Sequence, residues 1–331
     1  MPDLPIDHPK FLAAYAAASG LAPRVETRTG SIAAAIIAYK ASSSYKAQAE
    51  NTRAQRRPFL DQFLEAYDPG RRVDLTERHI RADLDKFEGH PRNNRLKAWK
   101  ALLSWAAEIE KLIPENPAER LKKVKTAASD GHVPWDEDQI EAFRKRWPIG
   151  SRERLAFELI YWTGARVSDA IRLGPGNVDK DGWLVFCQQK TEGEVSIPFK
   201  RQLPEFAEGM SSDLDHLHAS IDALSIKHMT FMVTVHGASR SAKAVSQWFA
   251  GKARDARIKD RSAHGLRKSR TIALIEAEAT THQVGAWTGH ESLAEIERYG
   301  KKFRRRKALS STKEERKSSN SSEKVPKEAG K

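Results

Sequence analysis

TGHESLAEIERYG, residues 288–300, sets a histidine nine residues ahead of a tyrosine. Ser292 and Glu295 fit the S-x-x-E capping box, in which two side chains satisfy free backbone N–H groups at a helix start. The spacing predicts a helix from Leu293 through Tyr299 that ends against Gly300. Leu293 and Ile296 give it one packing face and leave the phenol near its end. Taken alone, a tyrosine so placed is an ordinary boundary residue whose hydroxyl finds a partner.

Working outward, His264 and Arg267 in HGLRKS stand three residues apart and share one helical face. Ser262 is placed to cap that helix, which sets free N–H groups and the positive dipole end beside the same two side chains. Together they make an anion site, although His/Arg pairs at this spacing are common. Arg166 follows the Thr163–Gly164 turn in TGARVSDAIRL, with Asp169 one turn further along. The bland reading there is a surface ion pair, for which Arg172 competes. WLVFCQQK and EVSIPF, joined through TEGE, predict a β-hairpin with Lys190 at the edge of its turn, where lysines are most often solvated. Cys187, the only cysteine, reads as a small buried hydrophobe rather than a reactive thiol or metal ligand.

With 331 residues, 39% apolar and 31% charged, the chain has the profile of a soluble globular protein of two domains. A lone cysteine excludes an internal disulfide, and the start MPDLPIDHPKF carries no signal-like apolar run. No stretch approaches the roughly 18 apolar residues of a membrane span. The expected setting is cytoplasmic, beside the nucleoid, with no membrane contact. Net charge is +13, of which residues 300–331 contribute 12 Lys/Arg against 4 Asp/Glu, and residues 31–125 contribute 19 against 13. If nucleic acid is bound, the N-terminal half carries much of the grip; a solvated surface with a solubilising tail is the alternative.

Residues 1–30 read as a short leader containing FLAAYAAA, and residues 31–126 as a small basic domain of four helices. Pro58 marks a kink or a late start in the second helix. In the fourth, Leu96, Trp99, Leu103 and Ala106 share a buried face, and basic side chains crowd the N-terminal part. The proline-rich stretch from Ile113 to Trp135 reads as a linker, with residues 127–133 as its centre. A second domain spans 134–307, and 308–331 is a basic tail with too few apolar residues to fold.

Two arginines, a lysine, two histidines and a tyrosine, without clustered carboxylates for a metal, suit one reaction: attack of a tyrosine hydroxyl on a phosphodiester. Paired guanidinium groups stabilise the charge on the equatorial oxygens, a lysine protonates the leaving 5′ oxygen, and histidines assist proton transfer. The ordered set TGARVSDAIRL, QQKTEG, HGLR, TGH and ERYG resembles the tyrosine recombinase, or phage integrase, family. The resemblance implies a mainly α fold with a small β-sheet: a helical, SAM-like core-binding domain and a recombinase catalytic domain. It implies Arg166, Lys190, His264, Arg267 and His290 around the scissile phosphate, Tyr299 as nucleophile of a 3′-phosphotyrosine intermediate, and Asp169 as a supporting acid, where the family more often has Glu.

It further implies double-stranded DNA as partner, a homotetramer on DNA, host DNA-bending or directionality factors, and neither cofactor nor metal. Residues 301–315 are expected either to dock on a neighbouring protomer or to act as an electrostatic tail. Arg95, Lys97 and Lys100 in the first domain, and Arg240, Lys243 and Gln247 on the helix before HGLR, are candidate DNA contacts. An integrase of a prophage or mobile element is the leading reading. A chromosome-dimer-resolving recombinase shares the residues, a type IB topoisomerase uses similar ones without site preference, and a DNA-binding protein without chemistry would keep the fold. A metal-dependent nuclease is weakest, because the histidines lack ligand spacing.

Overall fold

The computed structural model describes residues 11, 15, 28–67, 71–126, 131–224, 228–290, 292, 294–297 and 299–300. Most of the leader, linker residues 127–130, and everything after Gly300, including 301–315 and the basic tail, lie outside the described residues. The chain divides into two compact units, Met1–Ser129 and Asp130–Lys331.

The first unit is helical: α1 (Ile32–Ala41), α2 (Ser43–Lys46), α3 (Glu50–Ala66), α4 (Glu77–Leu84) and α5 (Gly89–Glu108). Side-chain acceptors at Ser31 and Ser42 cap α1 and α2. Pro58 lies inside α3, which begins eight residues earlier, so it marks no late start. Leu96, Trp99, Leu103 and Ala106 are buried as their spacing requires. Trp99 stacks on Phe63 with ring centroids 3.7 Å apart.

Arg95 corrects a sequence expectation. It is not a surface DNA contact: it is 3% exposed, forks onto Asp83 at 2.7 and 2.8 Å, and lies over the Phe63 and Phe87 rings. Trp99 Nε1 also donates to Asp83, at 2.7 Å, so the buried acid is fully engaged. The proline-rich stretch is corrected too. Ile113, Ala118 and Leu121 are buried in this unit's core, and Asn93 clips the backbone of Val124 through both ends of its amide.

The second unit holds α6 (Glu137–Arg146), α7 (Arg152–Thr163), α8 (Val167–Ala170), a hairpin of β1 (Trp183–Cys187) and β2 (Glu194–Pro198), α9 (Ser211–Asp222), α10 (Ala242–Asp255), α11 (Ala263–Glu276) and α12 (Thr281–Thr288). The strands pair antiparallel from Trp183 opposite Pro198 to Cys187 opposite Glu194. Every residue of α7 from Arg154 to Thr163 is buried, which identifies it as the helix that the others enclose. The charges that this burial traps are neutralised internally: Glu158 accepts from Arg144 and Arg154, and Asp213 from Arg144 and Arg270. Cys187 is exposed, not buried, because it ends β1 on the outward side of the pleat. No described helix is long and apolar enough to cross a membrane.

Candidate active site

Two turns and one helix build the site. α7 stops at Gly164 (φ 59°) and α12 at Gly289 (φ 67°), both in the left-handed region where glycine carries no Cβ penalty. A Cβ on Gly289 would lie 2.1 Å from Gln188 Nε2, and one on Gly164 would press Thr288 Cγ2 at 3.2 Å. Arg267, on α11 and 2% exposed, links the turns: its Nη1 donates to Gly164 O at 2.7 Å and to Thr288 O at 2.6 Å.

Three polar atoms remain buried without a partner beside this link: Arg267 Nη2, Arg166 Nη1 and Asp169 Oδ2. Arg166 caps the start of α8, so its guanidinium stands where the chain leaves the Gly164 turn. Burial, followed by the charge of Arg166, lowers the Arg267 pKa to about 10, while Glu295, Asp169 and Tyr299 act in the opposite sense. Two under-paired guanidinium groups with mutual repulsion form a cradle for an anion. The surface ion pair considered for Asp169 does not form. The acid is 3% exposed, and its Oδ1 accepts the backbone N–H of Gln189 at 3.0 Å, tying the hairpin to α8.

Both histidines join the cradle in neutral form. Burial first, then His132 and Arg267, holds His264 at a pKa of about 4; burial first, then Arg267, does the same for His290. Thr288 Oγ1 donates its one proton to Val284 O at 2.6 Å, so its 2.6 Å contact with His290 must be donated from Nδ1–H. The neutral His290 ring therefore keeps its Nε2 as an acceptor.

Tyr299 is half-buried, and its hydroxyl donates to Glu295 Oε1 at 3.3 Å. The Lys268 ammonium stands 5.4 Å from its ring centroid. Glu295, the acid of the expected capping box, is thus the phenol's acceptor. Gly300 is helical and buried, the last of the described residues. Lys190 is exposed at the hairpin turn and, among the described residues, makes no ion pair with the other site residues. Its neighbours are anchored, Gln189 on Asp169 and Gln188 on Thr288 O at 3.2 Å.

Several supporting residues escaped sequence reading. Gln188 and Thr288 hold the turns together, and the signal for them was the Thr-Gly pair repeated at the ends of α7 and α12. Residues 131–135, read as linker, lie along α11. Trp135 N donates to Ser269 Oγ at 2.7 Å and Trp135 Nε1 to Ser262 O at 2.9 Å. A Cβ on Gly265 would meet Val133 O at 2.4 Å. His132 closes this contact, with Nδ1 at 2.8 Å from Ser262 Oγ and its ring 4.7 Å from that of His264. No spacing rule links position 132 to a helix 130 residues later.

Of the remaining candidates, Lys243 and Gln247 are exposed one turn apart on α10. Arg240 precedes that helix rather than lying on it, and stands over the Trp248 ring at 4.9 Å. Lys97 and Lys100 line an open groove in the first unit with Arg56, Arg120, Lys122 and Lys123.

The model of the phage integrase family matches residues 135–306. Tyrosine recombinase XerC of Pelotomaculum thermopropionicum is 24% identical over 210 residues, covering 62% of this chain and 68% of the relative. XerC of Mycobacterium bovis is 26% identical over 227 residues, with 62% and 70% covered. Among solved structures, a lambda integrase (75–356) dimer bound to a COC′ core site superposes with a TM-score of 0.63 at 17% identity, covering 81% of this chain and 94% of that one. A lambda integrase tetramer bound to a Holliday junction gives 0.62 at 17% identity, over 89% and 88%. Tn1549 transposon integrase in complex with a circular intermediate DNA gives 0.60 at 15%, over 82% and 95%. These structures share the fold. With its family model matched over more than half its length, the chain belongs to the phage integrase family and is a tyrosine site-specific recombinase.

Proposed function

We propose that the protein cuts and rejoins double-stranded DNA at a specific site through a 3′-phosphotyrosine on Tyr299, as the integrase of a prophage or other mobile element. The observation that carries this reading is the pair of buried, unpartnered guanidinium atoms, Arg166 Nη1 and Arg267 Nη2. A phosphodiester supplies the missing acceptors. As Tyr299 attacks, charge gathers on the two non-bridging oxygens, and forks already in place stabilise it without reorganisation. His264 and His290, neutral in the free site, take up positive character as the phosphate enters. Lys190 swings from the hairpin turn to protonate the departing 5′ oxygen, and Asp169 holds that hairpin against α8. The phosphotyrosine conserves bond energy, so rejoining needs no nucleotide cofactor.

In this reading residues 31–126 form the core-binding domain, 134–307 the catalytic domain, and DNA lies against the basic groove of Lys97 and Lys100 and against Lys243 and Gln247. The lambda integrase complexes with a core site and a Holliday junction support assembly as a tetramer on DNA. The XerC relatives favour a second reading, resolution of chromosome dimers at one fixed site. One experiment addresses both. Wild type and Tyr299→Phe are incubated with sheared, nicked host DNA without Mg²⁺, covalent complexes are trapped in SDS, and the attached DNA is sequenced. Adducts at one shared sequence, absent from the variant, are expected. A mobile-element boundary identifies an integrase, a single chromosomal site identifies a resolvase, and tight binding without adducts defeats the enzymatic reading.

A further inference from the structure

The reaction proposed above needs a group to receive the phenolic proton, and the phenol hydrogen-bonds a carboxylate that is not part of the phosphate cradle itself. We infer that Glu295 is that group: it accepts the Tyr299 proton during strand cleavage. The inference rests on Tyr299 being the nucleophile. Its hydroxyl already donates to Glu295 Oε1, at 3.3 Å. That is longer than the roughly 2.7–2.8 Å usual for O–H···O, and catalytic hydrogen bonds in free enzymes are often long and tighten on substrate. The two residues are four apart on one helical segment, so they share a face and travel together when the tyrosine advances on the phosphate.

Glu295 also stands at the cradle rather than at a remote surface. Its charge acts on His264 and Arg267, both on α11, and on His290 beyond the Gly289 turn. Arg267 is the cation among them, and the Glu295 carboxylate that faces it also accepts from the phenol. In the forward step the Tyr299 Oη–P bond forms as P–O5′ breaks; the phenolic proton passes to Glu295 Oε1, and the 5′ oxygen takes its proton from Lys190. On rejoining, the 5′ hydroxyl returns its proton to Lys190, and Glu295 returns the other to the departing Oη. No electrons change hands, and each site group ends as it began. The acceptor Nε2 of His290 is the rival base.

The test uses a duplex bearing the sequence found in the covalent adducts, made with either an ordinary scissile phosphate or a 5′-bridging sulfur, which leaves without a proton. Glu295→Gln preserves size in an exposed residue. Its expected behaviour is cleavage about a hundredfold slower with unchanged DNA affinity. With the bridging sulfur, Lys190→Ala regains speed and Glu295→Gln stays slow, which separates proton acceptance from leaving-group protonation. Wild-type rates in Glu295→Gln, or its recovery with sulfur, overturn the assignment while leaving Tyr299 as nucleophile intact. A wild-type protein that forms no adduct at all overturns the functional reading and this assignment together.

Discussion

Arg267 and Arg270 lie one turn apart on α11, and both are almost completely buried. Arg270 spends its donors inside the protein: Nε on Tyr161 O, Nη2 on Asp213, and Nη1 on Met210 Sδ, with its guanidinium 4.1 Å from the Tyr161 ring centroid. Arg267 is left with one guanidinium nitrogen unpartnered and a second arginine for a neighbour. Depth alone therefore does not distinguish an arginine that holds a fold from one that waits for a ligand. Completion of its hydrogen bonds does, because an unmet buried donor is a standing cost that folding keeps only where something else offsets it.

The largest expected effect tests the satisfied partner. Arg270→Met leaves Asp213 buried against Arg144 alone, and urea unfolding should show a loss of about 3–5 kcal/mol. Replacing Asp213 with Asn in the same chain should restore part of that loss. The companion change, Arg267→Lys, keeps the charge and removes the fork. Strand cleavage should fall about 10²–10³-fold, while stability moves by about 1 kcal/mol, since the lysine keeps the charge and can retain one of the two carbonyl bonds. Equal instability in the two variants would erase the distinction.

The smallest effect concerns the histidines beside Arg267. With folded pKa values of about 4, against 6.5 for the unconstrained group, each is neutral in the folded protein while its unfolded counterpart takes up protons. The unfolded state binds more protons between pH 6.5 and 4, so stability falls as pH drops through that window. His290→Gln should flatten the slope by up to about one proton, read as the shift in urea midpoint between pH 7 and pH 5. An unchanged slope would mean that His290 titrates freely.

Much of the molecule was legible in the sequence because it depends on local spacing. The helical class, the hairpin and the pairs Arg166 with Asp169 and His264 with Arg267 follow from intervals of three or four residues and from turn glycines, while the grouping of these pairs with His290 came from the family resemblance. The misreadings share another cause. Arg95 looks like its neighbours Lys97 and Lys100 in one dimension, and only its partner Asp83 on another helix sends it inside. Ile113, Ala118 and Leu121 are isolated apolar residues among prolines, without a period to announce a core. Cys187 alternates with buried Leu184 and Phe186 along β1, and which of the two faces the core would cover was not written in the strand itself.

The stretch from Gly131 to Trp135 bears on how this protein is taken apart and reassembled. It precedes the first helix of the second unit, yet it supplies partners for Ser262 and Ser269 on α11 and brings His132 against His264. A chimera that grafts a different targeting module onto this catalytic unit must splice ahead of residue 131. A junction at Asp136, where the first helix is capped, would discard a piece of the site along with the linker.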